Sequence, residues 1–564
     1  MVGSANNRAF LSVVRSLGRA GLRVHVIGTP FDAPALRSRY ISAVHPMPAY
    51  RPGDDTWVRG FRSLLERCRP DLVVPCDDTV IIPLQLSRAD FQDSPCRIYL
   101  LSDEAYAATA DKQRSYALAA QLEIPRPRQQ EVCSIEELRR AASHFGFPLI
   151  LKPVSSFTAG NLSAKRMVRR IKDERELLEA GPALISNGGV ALAQEFFAGV
   201  GVGVEVLCKE GNILAAFQHE RIHEPLLGGG STYRKSTRLN PELLAATHRL
   251  MSALQYTGVC MVEFRYDHSR DSWALIELNG RFWGSLPLAI AAGVDFPRYL
   301  YEMLCHGRTE FPRDYKEDIY CRNWTMDLGW LVASTRADMQ KGLFKPVSAV
   351  TFLAEARNIL LLRERSDTFV FDDPAPAWHE FRPLIGRAML ATVSRALAMR
   401  RRMRLRMARR ARDCRAVLFV CKGNICRSPF AARLFASRAN SSVRILTAGF
   451  HPSGRSTPDV AAAVARDWGV NLEDHRSALI TEDLLRSSGI VFGFDFGQVV
   501  AIRALFPSFA SKVVLIGALD DGPLQIPDPW GGQADDFRRV YARIDSAVSS
   551  AAEHFRAAPD LRGK

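Results

Sequence analysis

Between Val417 and Phe435 the chain reads VLFVCKGNICRSPFAARLF, an apolar run of strand length, a short loop from Cys421 to Arg427, and a helical stretch opening on Ser428-Pro429. A strand feeding a helix through so short a loop confines this part of the chain to a parallel α/β layer. Five residues separate Cys421 from Arg427. That spacing lets the loop curl until its N–H groups and the guanidinium face one point. Ser428 reads as the N-cap and Pro429 as the first helical residue, so the helix N-terminus also aims into the loop. Such a cradle binds a phosphate dianion and favours the thiolate of a cysteine at its focus.

At ~150 residues per domain, the 564 residues imply three or four units. Apolar and charged fractions of 47% and 24% are ordinary for a globular chain. No run reaches the ~20 apolar residues that span a bilayer, and MVGSANNRAF lacks the h-region of a secretory signal. A soluble cytoplasmic protein is expected. The eleven cysteines are scattered and odd in number, which does not suggest a disulfide framework. No CxxC pair occurs, which argues against a structural zinc site. The net charge of +15 is local: residues 387–415 hold eleven arginines and one acid, so +10 of the excess falls in 29 residues. No nucleic-acid-binding face is implied. In MRRRMRLRMARRARD, arginine alternates with Met, Leu and Ala, which suits a solvated helical spacer or a helix in contact with an anionic membrane surface.

The opening reads as a Rossmann-like unit, with helix RAFLSVVRSLGRAG and strands LRVHVIG, DLVVPCDD and CRIYLLS. The chain begins almost at the end of its expected first strand, as a clipped start would. From Asp111 the pattern changes to helix DKQRSYALAAQL, then SIEELRRAASHF with Ser134 as N-cap and Glu137 in the reciprocal position. Strands FPLILKPV, ALAQEFF, VGVEVLCK and ILAAFQHER follow, then helix PELLAATHRLMSALQ and the hairpin GVCMVEFRYD/SWALIELNGRF. Residues 311–386 are mixed and less legible.

Residues 414–557 resemble the low-molecular-weight tyrosine phosphatase family. CKGNICRSP matches its loop, Thr447-Ala448-Gly449 its S-A-G element, His475 the histidine bracing the loop Asn424, and Asp528-Pro529 its acid motif. The resemblance implies Cys421 as nucleophile, Arg427 as phosphate clamp, Ser428 as hydrogen-bond partner of the thiolate and Asp528 as general acid. It needs no cofactor and acts on a phosphotyrosine protein or aryl phosphate. It also implies that Cys426 traps oxidised Cys421 as a disulfide. One departure concerns the leaving group: the family walls it with two aromatics, but Trp530 is followed by Gly531 and Gly532. Arsenate reductase, a rival of the same fold, relays through cysteines downstream of the loop, and Cys426 is the last cysteine of this chain.

Residues 1–310 resemble the ATP-grasp superfamily of carboxylate–amine ligases. Lys112 and Lys152 stand where its members hold ATP phosphates, Gln194 and Glu195 at its adenine hinge, and Gly160, with Asn161, in its flexible loop. VEF and IELNGR look like its magnesium strands. Glu263 and Glu277 have a mean position of 270, the middle of the connecting loop DHSRDS, so they should stand opposite each other. Asn279 shares their face. Two carboxylates and an amide oxygen suit Mg²⁺ or Mn²⁺ carrying ATP. Arg281 follows on that face and could hold a phosphoryl group, whereas Arg221 and Glu224 could face the acceptor or form an exposed ion pair. Ribose contact through Glu205 is expected only weakly. The substrates implied are a small carboxylate and an amine.

The expected architecture is therefore α/β throughout. It comprises a Rossmann-like pre-domain (1–110), an α+β ATP-grasp domain (111–310), an accessory segment (311–386), an arginine-rich helical linker (387–413) and a doubly wound parallel phosphatase domain (414–557). The chain reads as a bifunctional enzyme; the alternative keeps the phosphatase and makes the ATP-grasp half a ligase-inactive nucleotide-binding regulator.

Overall fold

Five short strands, nearly all apolar, pair in parallel in the order Ile41–His45, Val24–Ile27, Val2–Gly3, Leu72–Pro75, Arg97–Ile98. The computed structural model describes the chain except residues 4–7, 29–32, 158–159, 161, 163–165, 167, 186–189, 226–229, 341–346, 383–396, 412, 440–442 and 557–564. Asn161, part of the LLGGGS loop and the start of the arginine-rich stretch therefore lie outside the described residues. The chain divides into two units, residues 1–29 with 37–377, and residues 30–36 with 378–564. No described helix is long and apolar enough to cross a membrane.

In the first unit, the parallel sheet is followed by a four-stranded antiparallel sheet ordered Gln129–Val132, Ala191–Glu195, Leu149–Pro153, Arg169–Ile171. Helices Ile135–Phe145 and Glu174–Ile185 pack on its apolar side through Leu138, Ala141, Leu149, Leu151 and Leu177. Ser134 caps the first helix by accepting from Glu137 N. The reciprocal carboxylate reaches Cys133 N, one residue earlier than a capping box places it.

The third sheet has seven strands. Its centre is antiparallel, from hairpin strands Ser272–Asn279 and Gly258–Asp267 through Val200–Lys209, Asn212–His223 and Tyr233–Thr237. Gly201 and Gly203 alternate along one face because Arg221 and His219 lie across it: a Cβ at 203 would meet the His219 ring at 2.3 Å. The segment least legible in sequence supplies the last two strands, Tyr320–Arg322 and Glu364–Ser366.

What fixes that segment is buried charge. Arg322 bonds to Asp327, to Glu355 at 2.8 Å and to Glu364 at 2.9 Å. His223 bridges Asp327 (2.9 Å) and Glu355 (3.0 Å) while stacked on Trp330. Burial alone would lower the His223 pKa, but its two carboxylates raise it.

The second unit is doubly wound. Its parallel strands run in the order Arg444–Ala448, Ala416–Val420, Ile490–Gly493, Val513–Leu515. Alternate residues of the central strands enter two cores: Val417 and Phe419 pack with Phe430, Phe435 and Tyr541, whereas Leu418 and Val420 pack with Phe496, Val499 and Ile502. By sequence the arginine-rich stretch suits a spacer or a membrane-contacting helix. From Leu397 to Ala411 it is instead a helix of this unit, with Met403 and Met407 buried in the two cores. Its arginines reach inward: Arg400 to Asp520 O and Gly522 O, Arg406 to Val513 O, and Arg410 to Gly489 O.

Removing the cation from the buried cluster leaves Glu364 without its ion pair and Asp327 and Glu355 with His223 alone. Arg322→Met should destabilise the protein by ~3–5 kcal/mol in urea unfolding, with Arg322→Lys recovering only part because one ammonium cannot span three acids. A variant as stable as the parent would contradict this account.

Candidate active sites

The loop of the second unit leaves the carboxyl end of Ala416–Val420 where the strand order reverses, the usual ligand position of a doubly wound sheet. It is a folded cradle. Asn424 takes a left-handed conformation, φ 52°, and is held on three sides. His475 Nε2 donates to its carbonyl at 2.7 Å, Ala478 N donates to its Oδ1 at 2.7 Å, and its Nδ2 donates to Ser428 Oγ at 2.8 Å. That last bond leaves the Ser428 hydroxyl proton for Cys421 Sγ, 3.0 Å away. Asn424 N–H approaches the same sulfur at 3.2 Å. Two donors therefore converge on Cys421, which is itself buried.

The helix starts at Arg427, with Cys426 at the N-cap making no side-chain cap bond. This corrects the reading of Ser428 as N-cap: its hydroxyl serves the thiol, and Pro429 sits in the first turn, where no N–H is needed. Phe430 stacks on Tyr541 at 3.8 Å, worth ~0.5–1.5 kcal/mol beyond burial, which seats the helix start. Gly449 passes beneath the loop, where a Cβ would lie 2.8 Å from Asn424 N.

Arg427 is 1% exposed along its side chain. Nη1 donates to Asp495 (2.8 Å) and Ile526 O (2.9 Å), and Nη2 to Asp528 (2.7 Å). Cys426 is buried, and burial together with neighbouring Cys421 pushes its thiol pKa up. Sequence reasoning misses three residues at this site. Asp495 caps the helix Phe496–Leu505 and orients Arg427; its signal is an acid ending an apolar strand. Arg455 has its Nη1 3.3 Å from where a Gly423 Cβ would lie. Burial, with help from Arg455 and Lys422, lowers His451 to about 4. The last two sit in a loop, HPSGRS, whose sequence carries no such signal.

In the first unit, the predicted opposition is present: Glu263 pairs with Glu277 across the hairpin. Asn279 Nδ2 donates to Glu263 at 3.3 Å. Lys112 Nζ lies 2.9 Å from Glu277. Burial would raise the Glu277 carboxyl, but Lys112, with Arg281 and Lys152, holds it well below the usual range. Arg221 is half-buried and bridges Glu263 (2.7 Å) and Glu224 (3.3 Å), so these are no exposed pair. Arg281 binds Asp78 at 3.0 Å, at the end of the parallel sheet, a partner not foreseen.

Lys152 differs from the other cations. Its Nζ is buried without a hydrogen-bond partner among the described residues, 4.4 Å over the Tyr116 ring. Burial lowers its ammonium to about 7 against the pull of Glu277. Gln194 donates to the Tyr116 hydroxyl. Three expectations fall outside this group. Glu195 turns its carboxylate to Arg128 at 3.0 Å. Among the described residues, nothing lies within 4 Å of where a Gly160 Cβ would stand. Glu205 is fully buried, accepting from Ser285 at 2.6 Å with His219 Nδ1 3.0 Å away, which leaves it no surface for a ribose. An unpartnered ammonium beside two carboxylates and an amide oxygen fits a polyphosphate–metal complex, which would meet Lys152 with charge.

A family model described as low molecular weight phosphotyrosine protein phosphatase matches residues 416–558. Another, described as ATP-grasp in the biosynthetic pathway with Ter operon, matches residues 190–326. Low molecular weight protein-tyrosine-phosphatase Etp of Escherichia coli K12 is 32% identical over 133 residues, 23% of this chain and 88% of that protein. The probable phosphatase AmsI of Erwinia amylovora is 32% identical over 134 residues, 24% of this chain and 92% of that one. Among solved structures, biotin carboxylase of Campylobacter jejuni superposes with a TM-score of 0.45 at 16% identity, over 57% of this chain and 74% of that chain.

The buried ammonium makes a pH-dependent prediction. A lysine whose folded pKa is about 7, against ~10.4 unfolded, destabilises the fold fully below pH ~7 and progressively less as pH rises toward ~10.4. Ligand-free Lys152→Met should therefore melt several degrees above the parent at pH 7, and the gap should close by pH ~10. A gap independent of pH would refute the assignment.

Proposed function

Because residues 416–558 make this chain a member of the low molecular weight protein-tyrosine-phosphatase family, we propose that its second unit hydrolyses phosphotyrosine proteins or aryl phosphates through a cysteinyl-phosphate. The observation that carries this reading is the convergence of Ser428 Oγ and Asn424 N–H on Cys421 Sγ, with Arg427 and Asp528 alongside. Cys421 forms the S–P bond as the P–O bond to the phenol breaks, and Asp528 gives its proton to the leaving oxygen. The same carboxylate then takes a proton from water, whose oxygen displaces the thiolate and frees inorganic phosphate. Arg427 binds two equatorial oxygens once Asp528 releases Nη2. Ser428 stabilises the departing thiolate, while His475 and Asn424 hold the loop's shape. Trp530, half exposed, walls one side of the phenyl ring. A side chain at 532 would collide with Asp536 and Pro529 O, so the other side stays open. Cys426 protects Cys421: its thiol condenses with a sulfenic acid to give a disulfide and water.

For the first unit, we infer ATP- and Mg²⁺- (or Mn²⁺-) dependent ligation of a small carboxylate to an amine. Glu263, Glu277 and Asn279 would hold the metal, Lys112 and Lys152 the phosphates, and Gln194 the hinge through Tyr116. Bound ATP supplies a phosphoryl group that activates a carboxylate. Arg221 and Arg281, both half-buried beside the acids, orient anionic groups there. We assign 1–110, 111–310 and, of the accessory segment 311–386, the part up to Ala377 to this half, and extend the phosphatase domain back to Leu397.

Purified protein should hydrolyse p-nitrophenyl phosphate without added metal. Cys421→Ser should abolish turnover and Asp528→Asn slow it by ~10²–10⁴-fold; an active Cys421→Ser protein would sink the mechanism.

ATP should raise the melting temperature only with Mg²⁺ or Mn²⁺, and Glu277→Gln should remove that rise while sparing phosphatase activity. Stabilisation without ADP release for any carboxylate–amine pair would favour a nucleotide-binding regulator instead. No stabilisation with either metal would refute the nucleotide site.

A further inference from the structure

Within the first unit, the outer part of the parallel sheet gathers a second set of ligating side chains. His25 stands on Val24–Ile27 and His45 ends the adjacent strand. The register pairs Ile27 with His45, so both histidines point to one face. Helix Thr56–Cys68 packs Phe61, Leu64 and Leu65 into the core shared with Ile27, and its last residue, Cys68, arrives beside the rings. His45 Nε2 is 3.0 Å from His25 Nδ1 and 3.7 Å from Cys68 Sγ. All three ligand atoms lie within 4.8 Å of one another, in side chains that are only half-buried.

A hydrogen-bonded histidine pair accounts for part of this arrangement. Yet a neutral ring nitrogen offers one proton or one lone pair, and His45 Nε2 faces a nitrogen and a sulfur together. A single ion satisfies all three atoms. Tetrahedral zinc, with bonds of ~2.0–2.1 Å to nitrogen and ~2.3 Å to sulfur, sets N···N edges near ~3.3 Å and N···S edges near ~3.6 Å. The observed separations are close to both.

We propose that His25, His45 and Cys68 bind one Zn²⁺-class divalent ion, with a fourth position open to solvent. Two imidazoles and a thiolate select a borderline-soft metal over Mg²⁺, so this site is chemically separate from the Glu263–Glu277 pair. Binding forms the metal–sulfur bond and releases the Cys68 proton to solvent. Paired cysteines, the usual mark of zinc in a sequence, are missing here because one cysteine and two histidines converge from a helix and two strands.

The test uses the full chain, stripped with a chelator and held in excess Mg²⁺. One equivalent of Co²⁺ should produce a thiolate-to-cobalt charge-transfer band that Zn²⁺ displaces. The band should survive Cys421→Ser, which removes the proposed nucleophile of the other unit, and vanish in Cys68→Ser. Competition against a chromophoric chelator should show Zn²⁺ affinity falling at least ~10-fold in His45→Ala, since losing even a supporting residue has that effect. No band with the wild type, or an unchanged band in Cys68→Ser, overturns the proposal. Alkylation probes the same thiol without a variant: one equivalent of Zn²⁺ should shield Cys68 from iodoacetamide, read by peptide mass, and equal labelling with and without zinc overturns the site.

Discussion

A buried guanidinium cannot lose its charge, so the chain around it must supply acceptors. Much of this molecule is arranged by that requirement. Arg15 reaches Asp373 and Thr368 O, and Arg8 and Arg234 share Asp367, so a stretch beyond residue 366 is tied to the first helix and to the centre of the large sheet. Arg322 gathers three acids from a helix, a second helix and a strand. Arg427, the proposed phosphate clamp, is held by Asp495, Asp528 and a carbonyl, and an anion would take the place of Asp528. The same physics builds a structural knot in one unit and an anion site in the other.

The two proposed sites differ in how they would receive their ligands. The phosphatase loop is held in shape by contacts of its own unit, through Asn424, His475 and Gly449. The first unit's acidic group is charge-balanced by its own residues, Lys112 on Glu277 and Arg221 on Glu263, with Lys152 left over. Metal and nucleotide would have to displace these pairs, so affinity there is a difference between two sets of ion pairs.

What is legible in the sequence is whatever local spacing encodes. The C-x5-R loop, the Glu263–Glu277 opposition and the Ser134 cap depend on neighbours in the chain, and each is where spacing puts it. Sites assembled from distant segments leave little trace. Asp78 beside Arg281, Arg455 behind Gly423, and His25 beside Cys68 are contacts that only the fold creates. Residues 311–386 resist reading because their strands bury charges, as Arg322 and Glu364 show, and so break the apolar pattern that marks a strand. The arginine-rich stretch misleads for the opposite reason. Its composition looks like surface, but its arginines snorkel along an apolar helix face toward backbone carbonyls.

That helix, Leu397–Ala411, has a consequence for how its domain recognises it. Four of its contacts are guanidinium-to-carbonyl bonds, to residues 489, 513, 520 and 522, and a carbonyl is the same whatever side chain its residue bears. The receiving surface can therefore drift in sequence without losing its lodger. If the connection after Ala411 were cut, the helix would remain a peptide ligand for the severed phosphatase, its address written in main-chain oxygen and two buried methionines.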